Sequence, residues 1–368
     1  MKYVNLGTTG LKVSELCLGT MTFGKEADRR TSEAIYRRCR EAGINFFDCA
    51  NVYSSGEAER ILGEIIPEER DRLIVTTKVG GAMGEGPNQD GLSRRHLIQQ
   101  CEQSLRRLNT GWIDVYFAHR FDTLVPVEET LRAFDTLIQQ GKVRYLGVSN
   151  WAAWQIAKAL GTSALCGLSA IRVMQPMYNL VKRQAEVELF PLALDAGMGV
   201  MAYNPLGGGL LTGKYGRTPT DGAGRLSEND TYTRRYAAPW MYEAAQSLKA
   251  VADEIGISPV SLAVAWVARH PAVSCPIIGA RSVAQIEPAL AAPDIPMTDE
   301  LYARLSALAP APPPALWRVQ SWRRRFCRKS SSRSPIGESI RRFISGGHPR
   351  EWKWISSLKR AQSSFRLK

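Results

Sequence analysis

Eight short apolar runs alternating with helix-period segments predict an α/β fold. We expect a parallel (β/α)8 barrel of the TIM type, with a hairpin before it and a basic tail after it. Three observations carry this expectation. The runs begin about 28 to 39 residues apart until the last interval, the period of a strand–helix repeat. They are apolar at consecutive positions, as in strands buried on both faces. The first run leads into GTMTFGKE, which lacks the G-x-G-x-x-G that usually follows the first strand of a doubly wound open sheet.

The elements follow in order. YVNL, a TTG turn and LKVS read as a hairpin over residues 3–14. The strand runs are ELCLGT from Glu15, INFFDC from Ile44, LIVTTKV from Leu73, WIDVYFAH from Trp112, VRYLGVSN from Val143, IRVMQP from Ile171, GVMAYNP from Gly199 and SCPIIG from Ser274. Between them, SEAIYRRCREAG, RRHLIQQCEQSLRRL and VEETLRAFDTLIQQG place apolar residues three and four apart and often stop at Gly. The long last interval carries PLGGGLLTGKYGRTPTDGAGR. Such a Gly-rich, basic loop exceeds what a connection needs, and two helices are expected after it. TDELYARLSAL reads as a helix near the end of the folded domain, which is expected to span residues 1–310.

Composition sets limits on function. With 44% hydrophobic and 23% charged residues over 368 positions, the chain is neither disordered throughout nor fibrous. The net charge of +13 is confined to residues 311–368, which hold fifteen Lys/Arg and two Asp/Glu and leave 33 of each sign in 1–310. Basicity therefore gives no reason to read the barrel as a nucleic-acid binder. The tail opens on APAPPPA, a linker composition, and crowds four of nine tryptophans among its arginines. It reads as a solvated, disordered extension or the product of a shifted reading frame. Contact with an anionic membrane surface or single-stranded nucleic acid is the less favoured reading. The seven cysteines (Cys17, Cys39, Cys49, Cys101, Cys166, Cys275, Cys327) are scattered without C-x-x-C, and four histidines offer no metal-ligand spacing. No leader-like segment or membrane-length apolar run is present, so the expectation is a cytoplasmic protein without a metal.

In a barrel the chemistry sits where strands end. The second run ends at Asp48, with Tyr53 five residues on; the third ends at Lys78 and the fourth at His119. The fifth ends at Ser149-Asn150, the sixth at Gln175 and the seventh at Tyr203, and the eighth leads into Gly279-Ala280-Arg281. The set DCANVYSSGEAERILGE, TTKV, VYFAHRFD, QGKVRYLGVSNW, MQPMYN, AYNPLGGGLLTGKY and IIGARSVAQIE resembles the aldo-keto reductases over essentially residues 1–308. The resemblance implies a (β/α)8 barrel that binds NADPH without a Rossmann fold and reduces an aldehyde or ketone to the alcohol, with TDELYARLSAL as a closing helix that lids one end of the barrel.

Its catalytic tetrad falls on Asp48, Tyr53, Lys78 and His119, and the chemistry agrees. Hydride delivered to a carbonyl leaves an alkoxide that needs a proton. Tyr53 would donate it, Lys78 would lower the phenol pKa, Asp48 would neutralise the buried ammonium, and a neutral His119 would polarise the carbonyl oxygen. For the cofactor, the resemblance puts Ser149, Asn150 and Gln175 on the nicotinamide carboxamide and stacks Tyr203 on its ring. Lys214 would hold the pyrophosphate and Arg225 would add a clamp. Arg281 and Gln285 would hold the adenosine 2′-phosphate. Thr20, Met21, Pro205, Leu206, Gly208, Leu211 and Gly279 complete the implied contacts. Pro288 and Ala289 replace a Glu-Asn pair common in the family, so the adenine edge loses a side-chain contact. Phe23, Trp151 and the 216–236 loop are candidates for the substrate wall. The run from Gly208 to Gly213-Lys214 approaches a nucleotide P-loop, but Tyr215 stands where Ser or Thr is required, which excludes an ATPase. The family also includes potassium-channel β subunits, which keep the barrel and NADPH but serve a membrane protein. His119 is the reductase residue at the position where those subunits differ.

Overall fold

The hairpin forms as expected. In the computed structural model, which describes residues 1–216 and 224–312, β1 (Tyr3–Asn5) pairs antiparallel with β2 (Lys12–Ser14). The described barrel unit lies within Met1–Pro313; the expected tail beyond residue 312 and residues 217–223 of the long loop lie outside the described residues.

The eight barrel strands are β3 (Cys17–Gly19), β4 (Phe46–Asp48), β5 (Ile74–Val79), β6 (Ile113–Ala118), β7 (Val143–Ser149), β8 (Ile171–Gln175), β9 (Gly199–Ala202) and β10 (Cys275–Ile278). All neighbouring pairs are parallel, and β10 closes on β3. The ring of helices begins with α1 (Arg29–Glu41), α2 (Glu57–Ile65), α3 (Arg94–Arg107), α4 (Val127–Gln139), α5 (Ala153–Cys166) and α6 (Leu189–Ala196). After β9 come the short α7 (Arg225–Glu228) and α8 (Asp230–Arg235), then α9 (Pro239–Glu254) and α10 (Pro259–Arg269); α11 (Val283–Leu290) and α12 (Asp299–Ser306) end the described chain.

The strands are buried on both faces for different reasons. Residues such as Phe46, Val115, Phe117, Val173 and Met201 fill the barrel interior, while Phe47, Val75, Tyr116 and Met174 pack under the helices. Gly147 on β7 is required by this filling: a Cβ there would stand 2.4 Å from Cε1 of Phe117. Leu6 and Val13 of the hairpin join the interior cluster, and Thr8 N–H donates to Gly197 O at 2.8 Å, just before β9. The hairpin therefore plugs the N-terminal end of the strands.

One expectation is corrected here. The closing helix α12 is not a lid on the barrel. Tyr302 stacks on Trp266 of α10 at 5.7 Å between centroids, and Trp266 Nε1 donates to Ser306 Oγ at 3.0 Å. Its apolar side is spent on the helix ring because the hairpin already covers the barrel end. Among the described residues, no single helix is long and apolar enough to cross a membrane. The pair α9 and α10 reaches that length only across a 104° bend, and Leu248 and Trp266 within it are core residues.

Candidate active site

The register of the parallel ladder decides what meets at the C-terminal mouth. Asp48 pairs with Thr76 across β4 and β5, and Ser149 with Gln175 across β7 and β8. Thr76 and Lys78 are two apart on β5, so both turn inward towards Asp48. Lys78 Nζ lies 2.6 Å from Asp48 Oδ2 and 2.7 Å from Cys49 O, with Tyr53 Oη at 3.4 Å. Asp48 Oδ1 accepts from Thr76 Oγ1 and from Gln175 Nε2, each at 2.8 Å. Lys78 is fully buried and Asp48 nearly so, and every polar contact needed to tolerate such a pair is present.

Tyr53 reaches this pair from a tight one-turn segment, Tyr53–Gly56, in which Ser54 and Ser55 are left-handed at φ 48° and 54°. Ser54 Oγ donates to Phe23 O at 2.7 Å, which pins the strained turn. His119 closes the group, its ring edge-on to Tyr53 at 6.0 Å between centroids. The structure thus brings Asp48, Tyr53, Lys78 and His119 together at one mouth.

The electrostatics correct one detail. Burial raises the Tyr53 phenol to about 12, although the Lys78 ammonium pulls it down. Lys78 limits the rise without reversing it, because the burial of the phenol outweighs an ammonium already committed to Asp48. Burial opposes the charge on Lys78, but Asp48 and Tyr53 together hold its pKa above the usual lysine value. His119 is pushed down to about 3, first by burial and then by the charges of Lys78 and Arg120, so its imidazole is neutral.

Beside the tetrad lie the residues expected around a nicotinamide. Asn150 is left-handed at φ 58°; its Nδ2 donates to His119 O at 2.9 Å and its Oδ1 accepts from Tyr203 Oη at 2.7 Å. Ser149 Oγ donates to Gln175 O at 2.9 Å. The amide nitrogen of Gln175 is committed to Asp48, so this residue braces the ion pair as well as facing the mouth. A crevice of about 230 Å³ opens here, lined by Asn150, Trp151, Gln175, Met177, Lys182 and Tyr203. Thr20 is buried, with its hydroxyl on Asp48 O, whereas Met21 is 37% exposed at the rim. Phe23 is wholly buried and Trp151 nearly so; Phe23 is therefore part of the core and not of an open substrate wall.

A second cluster forms on the other side of the mouth. Gly207, Gly208 and Gly209 after β9 are all left-handed, with φ of 60°, 70° and 97°, a run that side chains other than glycine resist. Pro205 and Leu211 are buried, Leu206 is half-buried, and Gly208 N–H is held by Asn204 Oδ1 at 2.6 Å. Lys214 crosses over Gly224, where a Cβ would meet Nζ at 2.4 Å. Burial depresses the Lys214 pKa, and the nearby charges of Arg281 and Arg225 lower it further. Three cations from two segments thus converge beside a glycine cradle, the donor set that a polyphosphorylated ligand requires. Gly279 is exposed at the rim, where a Cβ would stand 3.2 Å from Gly19 O. Gln285 is turned inward along its own chain, its Oε1 accepting from Arg281 N at 3.0 Å. Ala289 is buried and Pro288 O accepts from Ser261 Oγ, so neither offers a polar side chain to a ligand.

A larger concavity, about 690 Å³, lies on the outside of the barrel between α1, α2 and α3, lined by Arg29, Arg60 and Arg107 among others. These arginines are paired with Glu33, Glu64, Glu57 and Glu59, and no tetrad residue lines it. Size does not locate the chemistry in this molecule.

Several contributors escaped the sequence reading. Thr76 supports Asp48, and its position two before Lys78 on a strand was a usable signal. Tyr236 Oη accepts from Asn204 Nδ2 at 2.6 Å and Asn179 Nδ2 at 3.1 Å, tying the loop after β9 to the loop after β8. Glu26 and Glu228 stand among the cations of the second cluster. These pairings span tens of residues or more, and no local pattern announces them.

Residues 15–310 match the group described as the Aldo/keto reductase family. Two similar proteins carry the name probable voltage-gated potassium channel subunit beta. The one from Arabidopsis thaliana is 39% identical over 302 residues, covering 80% of this chain and 92% of that protein. The one from Oryza sativa subsp. japonica is 39% identical over 332 residues, covering 88% and 100%. A Bacillus subtilis protein named as an uncharacterized oxidoreductase is 35% identical over 326 residues, covering 85% and 97%. With the barrel, the mouth and this match in agreement, the chain belongs to the aldo/keto reductase family.

Proposed function

We propose that this chain is an NADPH-dependent reductase of the cytoplasm that converts an aldehyde or ketone to the alcohol. The observation that carries the reading is the buried Asp48–Lys78 pair touching Tyr53, with neutral His119 beside it. NADPH, when bound, supplies the hydride. Ser149, Asn150, Gln175 and Tyr203 would hold its nicotinamide end; Lys214, Arg225 and Arg281 would hold its phosphates. His119 donates a hydrogen bond to the carbonyl oxygen, which polarises the bond and orients its carbon. Tyr53 keeps its proton at neutral pH because burial holds the phenol near about 12. An alkoxide is far more basic, on the scale of hydroxide derived from water at about 15.7, so transfer from Tyr53 runs downhill. Lys78 then stabilises the phenolate left behind, and Asp48 keeps that ammonium in place.

A second reading follows from the relatives that are named channel subunits: a barrel that holds NADPH and serves a membrane protein without turning over. His119 favours the enzyme, since a neutral imidazole beside the phenol has a use in carbonyl reduction. NADPH consumption with sugars, dicarbonyls and aromatic aldehydes separates the two. Turnover with at least one carbonyl supports the reductase; tight NADPH binding with no turnover across the panel favours the regulatory protein.

A further inference from the structure

Five charged side chains from three separate segments meet at the nucleotide end of the mouth. Glu26 lies between β3 and α1, Lys214, Arg225 and Glu228 follow β9, and Arg281 follows β10. Glu26 Oε1 is 3.6 Å from Arg225 Nη2 and 3.8 Å from Arg281 Nη2, and Glu228 Oε2 is 3.7 Å from Arg281 Nη2. Thr22 Oγ1 donates to Ala280 O at 2.7 Å, which fixes the segment bearing Glu26 against the one bearing Arg281.

These ion pairs are long. At 3.6–3.8 Å the carboxylates neutralise the guanidinium without taking its hydrogen bonds, and among the described residues the Arg281 side chain donates none. A phosphate dianion can take them at roughly 2.7–2.9 Å, but it must settle beside two negative charges. A ribose hydroxyl in the same place meets no such repulsion and can donate to a carboxylate.

Resting on the reading of this end as the nucleotide site, we propose that Glu26, assisted by Glu228, sets the balance between NADPH and NADH by competing with the 2′-phosphate for Arg281. The wild-type preference for NADPH is then moderate, and both cofactors bind. Removing one unit charge about 6 Å from a dianion, in surroundings as polar as bulk water, tightens binding by roughly tenfold at low ionic strength, and salt reduces the effect.

The test uses the full chain and the fluorescence of NADPH and NADH on binding, with no carbonyl present. Glu26→Gln keeps the size of the side chain and removes its charge; Glu228→Gln does so at the second position. The expected result is about tenfold tighter NADPH for Glu26→Gln, a smaller gain for Glu228→Gln, NADH unchanged or slightly weaker for both because the amide oxygen is a poorer acceptor for the ribose hydroxyl, and a gap that narrows as salt is raised. If wild type binds NADPH but neither variant moves the NADPH-to-NADH ratio, the competition is refuted while the cofactor assignment stands. Weaker NADPH binding in Glu26→Gln also refutes it, since Glu26 would then be holding Arg281 in place. If wild type binds neither nucleotide, the cofactor reading falls and the inference with it.

Discussion

Lys78→Met separates the ion pair from the rest of the barrel. The ammonium is wholly buried, 2.6 Å from Asp48 Oδ2, and also donates to Cys49 O. Methionine fills similar space but leaves one carboxylate oxygen without its cation. Breaking a buried pair by removing one partner costs about 3–5 kcal/mol. For a folded unit of about 310 residues the unfolding entropy is near 0.65 kcal/mol per degree, so the melting temperature should fall by about 5–8 °C. Adding Asp48→Asn removes the orphaned charge, and the double variant should recover at least half of that loss. The proton donor responds as well: without the ammonium, burial acts unopposed on Tyr53, and its pKa rises above the present value near 12. Thermal melts of wild type, both single variants and the double variant complete the cycle. A Lys78→Met protein melting within about 1.5 °C of wild type, or a double variant no better than the single, would refute the buried pair as described.

Other outcomes follow from the same geometry. Carbonyl reduction should be flat from about pH 5 to 9, because His119 titrates near 3 and Tyr53 keeps its proton until near 12. Alcohol oxidation needs the Tyr53 phenolate, so its rate should climb about tenfold per pH unit over the alkaline range; a break near 6.5 in the reduction profile would contradict the neutral imidazole. Arg281→Ala should weaken NADPH by about 1.5–3 kcal/mol in a binding titration and leave NADH nearly unchanged, and equal losses would make the residue structural. Truncation after Pro310 should leave turnover intact and lower the melting temperature by less than about 5 °C, since residues 1–310 are charge-balanced and already hold all eight barrel strands.

The barrel was legible because its strands are buried on both faces for two separate reasons, interior filling and helix packing, which leaves apolar runs such as GVMA at Gly199–Ala202. The ends were legible only to within a residue or two, as with Leu73 against the observed start at Ile74. Asp48, Lys78 and His119 could be singled out because barrel strands release their polar residues at one mouth, whereas Tyr53, five residues beyond β4, and the role of each member came from the resemblance to the aldo-keto reductases. Three things could not be read. The position of α12 depends on Trp266 and Tyr302 stacking, a choice between two apolar surfaces that local sequence does not make. The net shift on Tyr53 is a contest between burial and charge, and residue types alone give only the charge. The carboxylates on Arg281 sit 255 and 53 positions away, and only the closed barrel brings them together.

Replacing Tyr53 with phenylalanine tests the central claim most directly. Among the described residues its hydroxyl makes one long contact, 3.4 Å to Lys78, so folding and NADPH affinity should be preserved, and fluorescence titration checks the latter. General-acid catalysis contributes about 100- to 10,000-fold, so carbonyl-dependent NADPH oxidation should fall by at least the lower figure. A variant that binds NADPH and retains more than a few per cent of wild-type turnover would contradict the account, removing Tyr53 as proton donor and with it the roles given to Lys78 and Asp48.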